Sequence, residues 1–585
     1  MTEQPDNKTK EMLLLAARAG NFLEAVYAAS MEDPDERSDL HLKVAELHNQ
    51  GLVDVVAAFE GLKSKSVSGP DFFLTRHLFE KALPHINAPV APVMRCVVQL
   101  YKDAGADMSA GMIINSFVEF CSANTDRPAQ AVKEIEGDPS GLIDLLPGSL
   151  SAGSRFDSSH YLTEAIRLAR SDNVELRRRA VFSVGQLKWP DDKTPPEAAL
   201  EALQQAAADE SDDELLAAVV KSAFYLLQRD KAQELRVALL LESALSKGGD
   251  STLNAASQIF GFATKDIPDS ILTVLLPHLR RIKVEHTGTI RFLDYGIAYL
   301  LKEANADQGL ELLQDLLLTY PNDLDLQNFS SSLTAIRKNK ALASKVLTRW
   351  FLRGDIALGE VVESIVGASH DKPMEIEIDA AEMGEDSAKR VVFVARKALG
   401  HLLFRPVSAA GVLISLMRFT QSGETRDAVG ELLFEPLLLN YTGSARAYVE
   451  RQVGAETEAV KDALKVVLKR VEEYLDAIRS IGPIPEFHPG EAQRQTYRRN
   501  QSRLMAESMK QAEEQSPILS IISKSVLLYG RKSIHYAYGP DGQARRAETP
   551  LHSFGTEIEI PRYQHIDPFI LDYMWRVLRS KEPLE

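Results

Sequence analysis

The sequence is poor in the features that usually reveal a function. Two cysteines in 585 residues, Cys96 and Cys121, offer no C-x-x-C pair and no disulfide framework. No basic, apolar, small-residue leader follows Met1, so the cytoplasm is the expected compartment. Long apolar runs are missing as well. Leu215 to Leu227 is broken by Lys221 and falls short of the roughly 20 residues a bilayer span needs, so no membrane segment is expected. There is no Walker loop, no Gly-x-Gly-x-x-Gly, no His-Glu-x-x-His and no EF-hand pattern. Gly148-Ser149-Leu150-Ser151-Ala152-Gly153 comes nearest to a nucleophile elbow, but it has one residue too many before the serine and follows no strand; it reads as an inter-helix loop. Pro190-Asp191-Asp192-Lys193 has the residue types of a metal-dependent nuclease without strands to aim its carboxylates, and reads as a turn. No cofactor, metal or catalytic residue is assigned on these grounds.

Positive charge is also scarce, with 67 Lys and Arg against 83 Asp and Glu and a net charge of −16. Residues 491–585 hold 14 basic and 12 acidic side chains, so the acidity belongs to the preceding 490 residues. A chain this acidic is not expected to coat nucleic acid along its whole length, since phosphate binding depends on clustered Lys and Arg.

What is present is helical periodicity. Apolar residues recur at three- and four-residue intervals in Asn21 to Ala29, Leu52 to Leu62, Phe72 to Leu83 and Ala388 to Leu403, separated by short Gly, Pro, Asp or Ser punctuation. Strand alternation is missing until the last 60 residues, which excludes an ordinary α/β enzyme fold. The run from Ser171-Asp172-Asn173-Val174-Glu175-Leu176 into Arg179-Ala180-Val181 returns about forty residues later as Ser211-Asp212-Asp213-Glu214-Leu215-Leu216 leading into Val220-Lys221-Ser222-Ala223. Weaker copies lie near Asp250 to Gly261 and Asp386 to Leu402. The pattern Asp-x-x-(Val/Leu)-(Arg/x)-x-x-Ala at Asp172 to Ala180 resembles the HEAT/armadillo superfamily, most clearly over residues 157–265. That resemblance implies an all-α, right-handed HEAT-like solenoid of stacked helical pairs. A single pair cannot bury its apolar face, so neighbours stack into a continuous core beside a long binding surface.

The expected division is a flexible tail over 1–10, the solenoid over 11–480, a Pro/Gly linker over 481–490 (Gly482-Pro483-Ile484-Pro485, then Pro489-Gly490) and a small α+β module over 491–585. Ser533 to Tyr538 and Thr556 to Ile560 alternate, and Gly539-Pro540-Asp541-Gly542 is a turn signal. A β-hairpin is expected there, closed by a helix from about Pro568 to Leu578. Arg531, His535, Tyr536, Arg545, Arg546, His552 and Arg562, with Glu557 and Glu559, either line one polar surface of this module suited to docking a protein partner or, in the plainer reading, leave the aromatics packed on the last solenoid helices and the charges in solvent.

Basic clusters on the solenoid form a second candidate surface: Arg177, Arg178, Arg280, Arg281, Lys283, Arg337, Lys338, Lys345 and Arg349 make a phosphate-binding stripe if they fall on successive inner helices. Helix C-termini also favour Lys and Arg, which gives the same clusters a purely structural reading. The leading expectation is a non-catalytic scaffold or adaptor for one or more protein partners. The alternatives are a nucleic-acid-associated subunit of a multi-protein bacterial system such as anti-phage defence, and an enzyme centred on the C-terminal His, Arg and Glu residues.

Overall fold

The computed structural model describes residues 5–31, 39–64, 71–105, 107, 109–190, 194–208, 212–303, 305–321, 325–367, 373–482, 484, 490–515, 532–538, 544–550 and 559–580. The chain forms two compact units, Met1–Asn339 and Lys340–Glu585.

The first unit is a succession of helices. It opens with α1 (Pro5–Ala19), α2 (Phe22–Ser30), α3 (Leu40–Asn49), α4 (Val55–Glu60), α5 (Phe72–Ala82), α6 (Val90–Ala104), α7 (Met112–Ser122), α8 (Arg127–Gly137) and α9 (Leu146–Ser154). It continues through α10 (Ser158–Leu168), α11 (Val174–Gln186), α12 (Glu197–Ala208), α13 (Asp213–Arg229), α14 (Glu234–Lys247), α15 (Asp250–Ala263), α16 (Asp269–Leu279), α17 (Thr287–Leu300), α18 (Ala306–Thr319) and α19 (Ser330–Lys338). Many begin where an Asp or Asn can take up orphaned N–H groups. Asp54, Asp71, Asp157, Asn173 and Asp212 each accept from the first turn of the helix they precede.

From α10 onward the chain alternates between two layers. The odd helices α11, α13, α15, α17 and α19 pack side by side, and so do the even helices α12, α14 and α16. Strict alternation makes the odd helices parallel, so their N-termini share one edge of the layer and their C-termini the other. This is a helical repeat solenoid, in which each pair buries its apolar stripe against the next: Leu216, Val220 and Ala223 of α13 and Ala256, Ile259 and Phe260 of α15 are all buried. Backbones come very close at two glycines. A Cβ on Gly185 would lie 2.5 Å from Ser222 Cα, and one on Gly296 would lie 2.3 Å from the Phe260 ring, so larger residues at either place would force helices apart.

Two expectations need correction here. The supposed tail over 1–10 already contains the start of α1 at Pro5. The Gly148 to Gly153 segment is no loop: it lies within α9, buried throughout, and Ser149 Oγ donates to Leu145 O at 2.9 Å. Its small side chains serve close packing, with Gly148 against Val118 and Gly153 under the Tyr161 ring.

The second unit contains α20 (Lys340–Arg353), α21 (Ile356–Gly367), α22 (Ala388–Leu402), α23 (Pro406–Phe419), α24 (Gly423–Leu432), α25 (Ser444–Val453), α26 (Glu458–Ile481), α27 (Glu491–Gln515) and α28 (Pro568–Ser580). The central helix is α22, packed by α20, α21, α23, α24 and, from the far end of the chain, α28. Gly482 ends α26 with φ 74°, so the Pro/Gly signal at 481–490 marks a helix stop, whereas the compact units divide at 339/340. β1 (Lys532–Tyr538) pairs antiparallel with β2 (Ala544–Pro550), setting Tyr536 opposite Arg546, Ala537 opposite Arg545 and His535 opposite Ala547. No helix among the described residues is long and apolar enough to cross a membrane.

Candidate partner-binding surfaces

The two edges of the odd layer have opposite chemistry. A polar ladder runs along the N-terminal edge. Arg178 at the start of α11 donates to Asp212 Oδ2 at 2.8 Å and Glu214 Oε2 at 2.6 Å, both beside the N-terminus of α13. Asp213 in turn accepts from the N–H groups of Gly249, Ser251 and Thr252 at 2.6, 2.7 and 3.1 Å and from Thr252 Oγ1 at 2.6 Å, which fastens the start of α15. Burial alone would raise the Asp213 pKa, but the Thr252 hydroxyl and the three N–H groups outweigh it and hold the carboxyl below its ordinary range. Thr289 Oγ1 donates to Asn254 Oδ1 at 3.1 Å, and Asp294 accepts from Ser331 N and Ser332 N at 2.9 and 2.7 Å, carrying the ladder on to α17 and α19.

This ladder decides the fate of the basic clusters. Arg280 pairs with Asp315 at 2.6 Å and Lys283 with Asp250 at 3.0 Å, while Arg281 caps the carbonyls of Leu245 and Gly248 at 2.8 and 2.9 Å. Arg177 donates to Ser171 O, and Arg337 to Thr334 Oγ1. In the second unit Arg349 binds Glu382 at 2.7 Å, with Lys345 4.0 Å from the same carboxylate. Nor do the clusters of the first unit line up. Arg178 and Arg280 to Lys283 lie toward the edge where odd helices begin, whereas Arg337 and exposed Lys338 end α19 at the other. The expected continuous stripe is absent among these residues. Arg178, Arg280, Lys283 and Arg349 neutralise carboxylates about one repeat away and Arg281 caps a helix end there, whereas Arg177 and Arg337 bond within their own repeat. Trp350, next to Arg349, is buried.

The C-terminal edge of the odd layer carries aromatic residues instead. Tyr225 of α13, Phe262 of α15 and Tyr299 of α17 occupy the same place in three successive odd helices, 37 residues apart, and all three are exposed. Phe262 is 69% exposed, with the Phe292 and Tyr295 rings at centroid distances of 5.1 and 6.4 Å. Tyr295, 42% exposed, broadens the row at α17, which carries two exposed rings.

In the second unit the chain end folds back and is tied down at four places. Glu559 accepts from Gly443 N and Ser444 N at 2.9 Å, capping α25. Asn440 brackets the next segment, its carbonyl accepting from Arg562 N and its side chain from Tyr563 N. Tyr563 donates to Glu435 Oε1 at 3.0 Å; burial and that carboxylate push its pKa up to about 12. Finally α28 lies on α22 through buried Leu571 and Leu578, with Trp575 edge-on to Phe404 at 5.8 Å. Buried Lys397 donates to Gly354 O at 2.8 Å and Arg579 O at 2.6 Å, and burial lowers its pKa. Arg579 stacks over Trp575 at 3.9 Å, bonds Gly400 O at 2.9 Å and reaches Glu363, which also accepts from His401 Nδ1 at 2.9 Å. Burial holds His401 below its usual pKa against the pull of Glu363. Both groups serve to dock α28. Its outward side is open and mixed, with Phe569 85% and Tyr573 69% exposed beside Ile570 and Val577, and the exposed Arg576 paired with Asp572 at 2.9 Å on the same face.

Of the residues assigned to the C-terminal polar surface, Arg531, His552 and Glu557 lie outside the described residues. His535 and Tyr536 are on β1, and Arg545 and exposed Arg546 on β2. Arg562 is elsewhere, over the Tyr474 ring at 5.5 Å, and Glu559 is spent on α25, so these two do not join the ribbon. Sequence reasoning missed Lys397, His401 and Glu363. The signal was there: Lys397 and His401 fall in phase with the apolar stripe of α22, where a charge needs a partner.

No family model matches the chain, and no curated protein matches it in sequence. Among solved structures, UNC-45 from Drosophila melanogaster is 12% identical, with 81% of this chain and 80% of that one covered at a TM-score of 0.28. An engineered protein is 13% identical, covering 77% and 98% at 0.19, and a circular tandem repeat protein is 11% identical, covering 81% and 96% at 0.13. The repeat architecture rests on this chain's own helix stacking.

Proposed function

We propose that the chain is a non-catalytic scaffold or adaptor that holds a protein partner, with the aromatic row of the first unit as its main contact. One observation carries this reading: Tyr225, Phe262 and Tyr299 stay exposed at a fixed repeat position in a layer whose opposite edge carries a ladder of polar bonds. Aromatic side chains are costly to leave in water and are enriched where proteins bind one another. A row of exposed rings crossing successive helices suits an extended segment laid across the layer. The outward stripe of α28, Phe569, Ile570, Tyr573 and Val577, supplies a second contact. Residues 491–585, with Arg545 and Arg546 on β2, complete that module as the partner-facing end of the chain.

The test is capture of a stoichiometric partner by the full chain from its native host after nuclease treatment, repeated with Phe262→Ser/Tyr299→Ser and with Tyr573→Ser. Loss with the first variant supports the row, and loss with the second supports α28. Undiminished capture by both overturns this assignment of the surface.

A further inference from the structure

We propose that the face carrying the aromatic row receives an extended acidic segment of the partner, with two carboxylates about five or six residues apart and apolar side chains between them. This rests on the reading of the row as a protein contact and adds the chemistry of what lies across it. Helix register sets three rows on this face, each stepping 37 residues from α13 to α15 to α17. Tyr225, Phe262 and Tyr299 form the first. Lys221, Gln258 and Tyr295 lie one turn back, and Ala217, Asn254 and Arg291 one turn further, since residues four apart share a helix face. All nine are at least partly exposed, and none is a carboxylate. In a chain of net charge −16 such a field stands apart from its surroundings. The acids that border it lie at its edges. Asp213 is bound to the N-terminus of α15 and Asp250 to Lys283. Asp294 of α17 is buried and accepts from Ser331 and Ser332. Asp266 and Glu303 come after the ends of α15 and α17, each next in sequence to a lysine, Lys265 or Lys302.

Two cations in the field lack a counter-ion. Lys221 is half-buried and Arg291 exposed, and neither has an ion pair among the described residues. Lys221 instead feels Arg179, which is itself bound to Asp144; burial, with that guanidinium added, lowers the Lys221 pKa. A half-buried ammonium without a carboxylate is costly, and an incoming carboxylate supplies the missing charge. Lys221 and Arg291 stand two helices apart, about 16–20 Å at about 8–10 Å per helix. An extended chain, at about 3.3–3.6 Å per residue, covers that distance in about five or six residues. Between the two cations Phe262, with the Phe292 and Tyr295 rings beside it, offers an apolar bed. A nucleic-acid strand brings a charge at every nucleotide, more than two separated cations can answer, so spaced carboxylates on a peptide are the better match.

The test is selection from a phage-displayed library of random peptides about twelve residues long, enough to cross three helices, on the intact protein, followed by fluorescence anisotropy of the selected peptides. Expected are Asp and Glu enriched at a spacing of about five or six with apolar residues between, and affinity that falls with salt. Lys221→Met, which keeps the apolar stem, and Arg291→Gln are each expected to weaken these peptides by about tenfold or more. Circular dichroism checks that both variants keep their helices. Peptides that need Phe262 and Tyr299 but carry no acidic excess, or that bind both cation variants unchanged, overturn the acidic partner and leave the row standing. No enrichment, or peptides indifferent to Phe262→Ser/Tyr299→Ser, overturns the row as well. Tighter binding of single-stranded oligothymidylate than of any selected peptide overturns the proposal in favour of a nucleic-acid strand.

Discussion

Lys397 Nζ donates at 2.6 Å to the main-chain carbonyl of Arg579, 182 residues further along the chain. That carbonyl belongs to the last turn of α28, where unsatisfied C=O groups and the negative end of the dipole welcome a cation. Replacing Lys397 by Met keeps the volume and removes the charge. Hydrogen bonds to charged groups contribute about 1.5–3 kcal/mol, so amide-exchange protection across 568–580 is expected to fall by about tenfold or more. Unchanged protection would make Lys397 incidental to docking.

Gly359 sits against the His401 ring, and a Cβ there would lie 2.2 Å from Cε1 and Nε2. Gly359→Ala must therefore push the imidazole off Glu363. Overpacking of this kind typically costs about 1–3 kcal/mol. The expected result is a lower unfolding midpoint for the second unit and weaker protection of α28, read by exchange mass spectrometry.

Docking of α28 also depends on pH. His401 titrates below its ordinary 6.5 in the folded chain, with burial as the main cause, and Glu363, Arg579 and Lys397 around it. Between that lower value and 6.5 the unfolded state binds more protons, so stability drops as pH falls through this window and levels off below it. Thermal unfolding between pH 7.5 and 5.5 is expected to show the loss in the native chain and a flatter profile in His401→Gln.

Asp213 gives the opposite case. Its carboxyl is held below the ordinary 3.8, so its contribution is complete above that value and disappears as pH falls through the folded pKa. Asp213→Asn puts N–H groups where the N-terminus of α15 offers only donors. A loss of about 1–3 kcal/mol at neutral pH is expected, shrinking in acid. Denaturant titration at pH 7 and pH 3 measures both ends.

The repeat was readable where each element agreed with itself: a cap at Asn173 or Asp212, an inner face with Ala180 or Ala223, and a return after about forty residues. The acidic and basic residues were harder, because a sequence shows which charges cluster but not which carboxylate lies one repeat away. Arg178 and Arg280 look like free cations until Asp212 and Asp315 are brought beside them. Gly148 to Gly153 misled for a related reason: small residues mark a loop when exposed and tight packing when buried, and only tertiary structure tells the two apart. The aromatic row went unread, because a 37-residue interval between Tyr225, Phe262 and Tyr299 means nothing until the helix register and their exposure are known.

Glu559, Asn440 and Lys397 fasten the last described segment to the same unit that α26 leaves at Gly482, so the chain departs from and returns to one body. A single proteolytic cut between these two points severs the backbone without freeing the terminal fragment, which stays bound through α28.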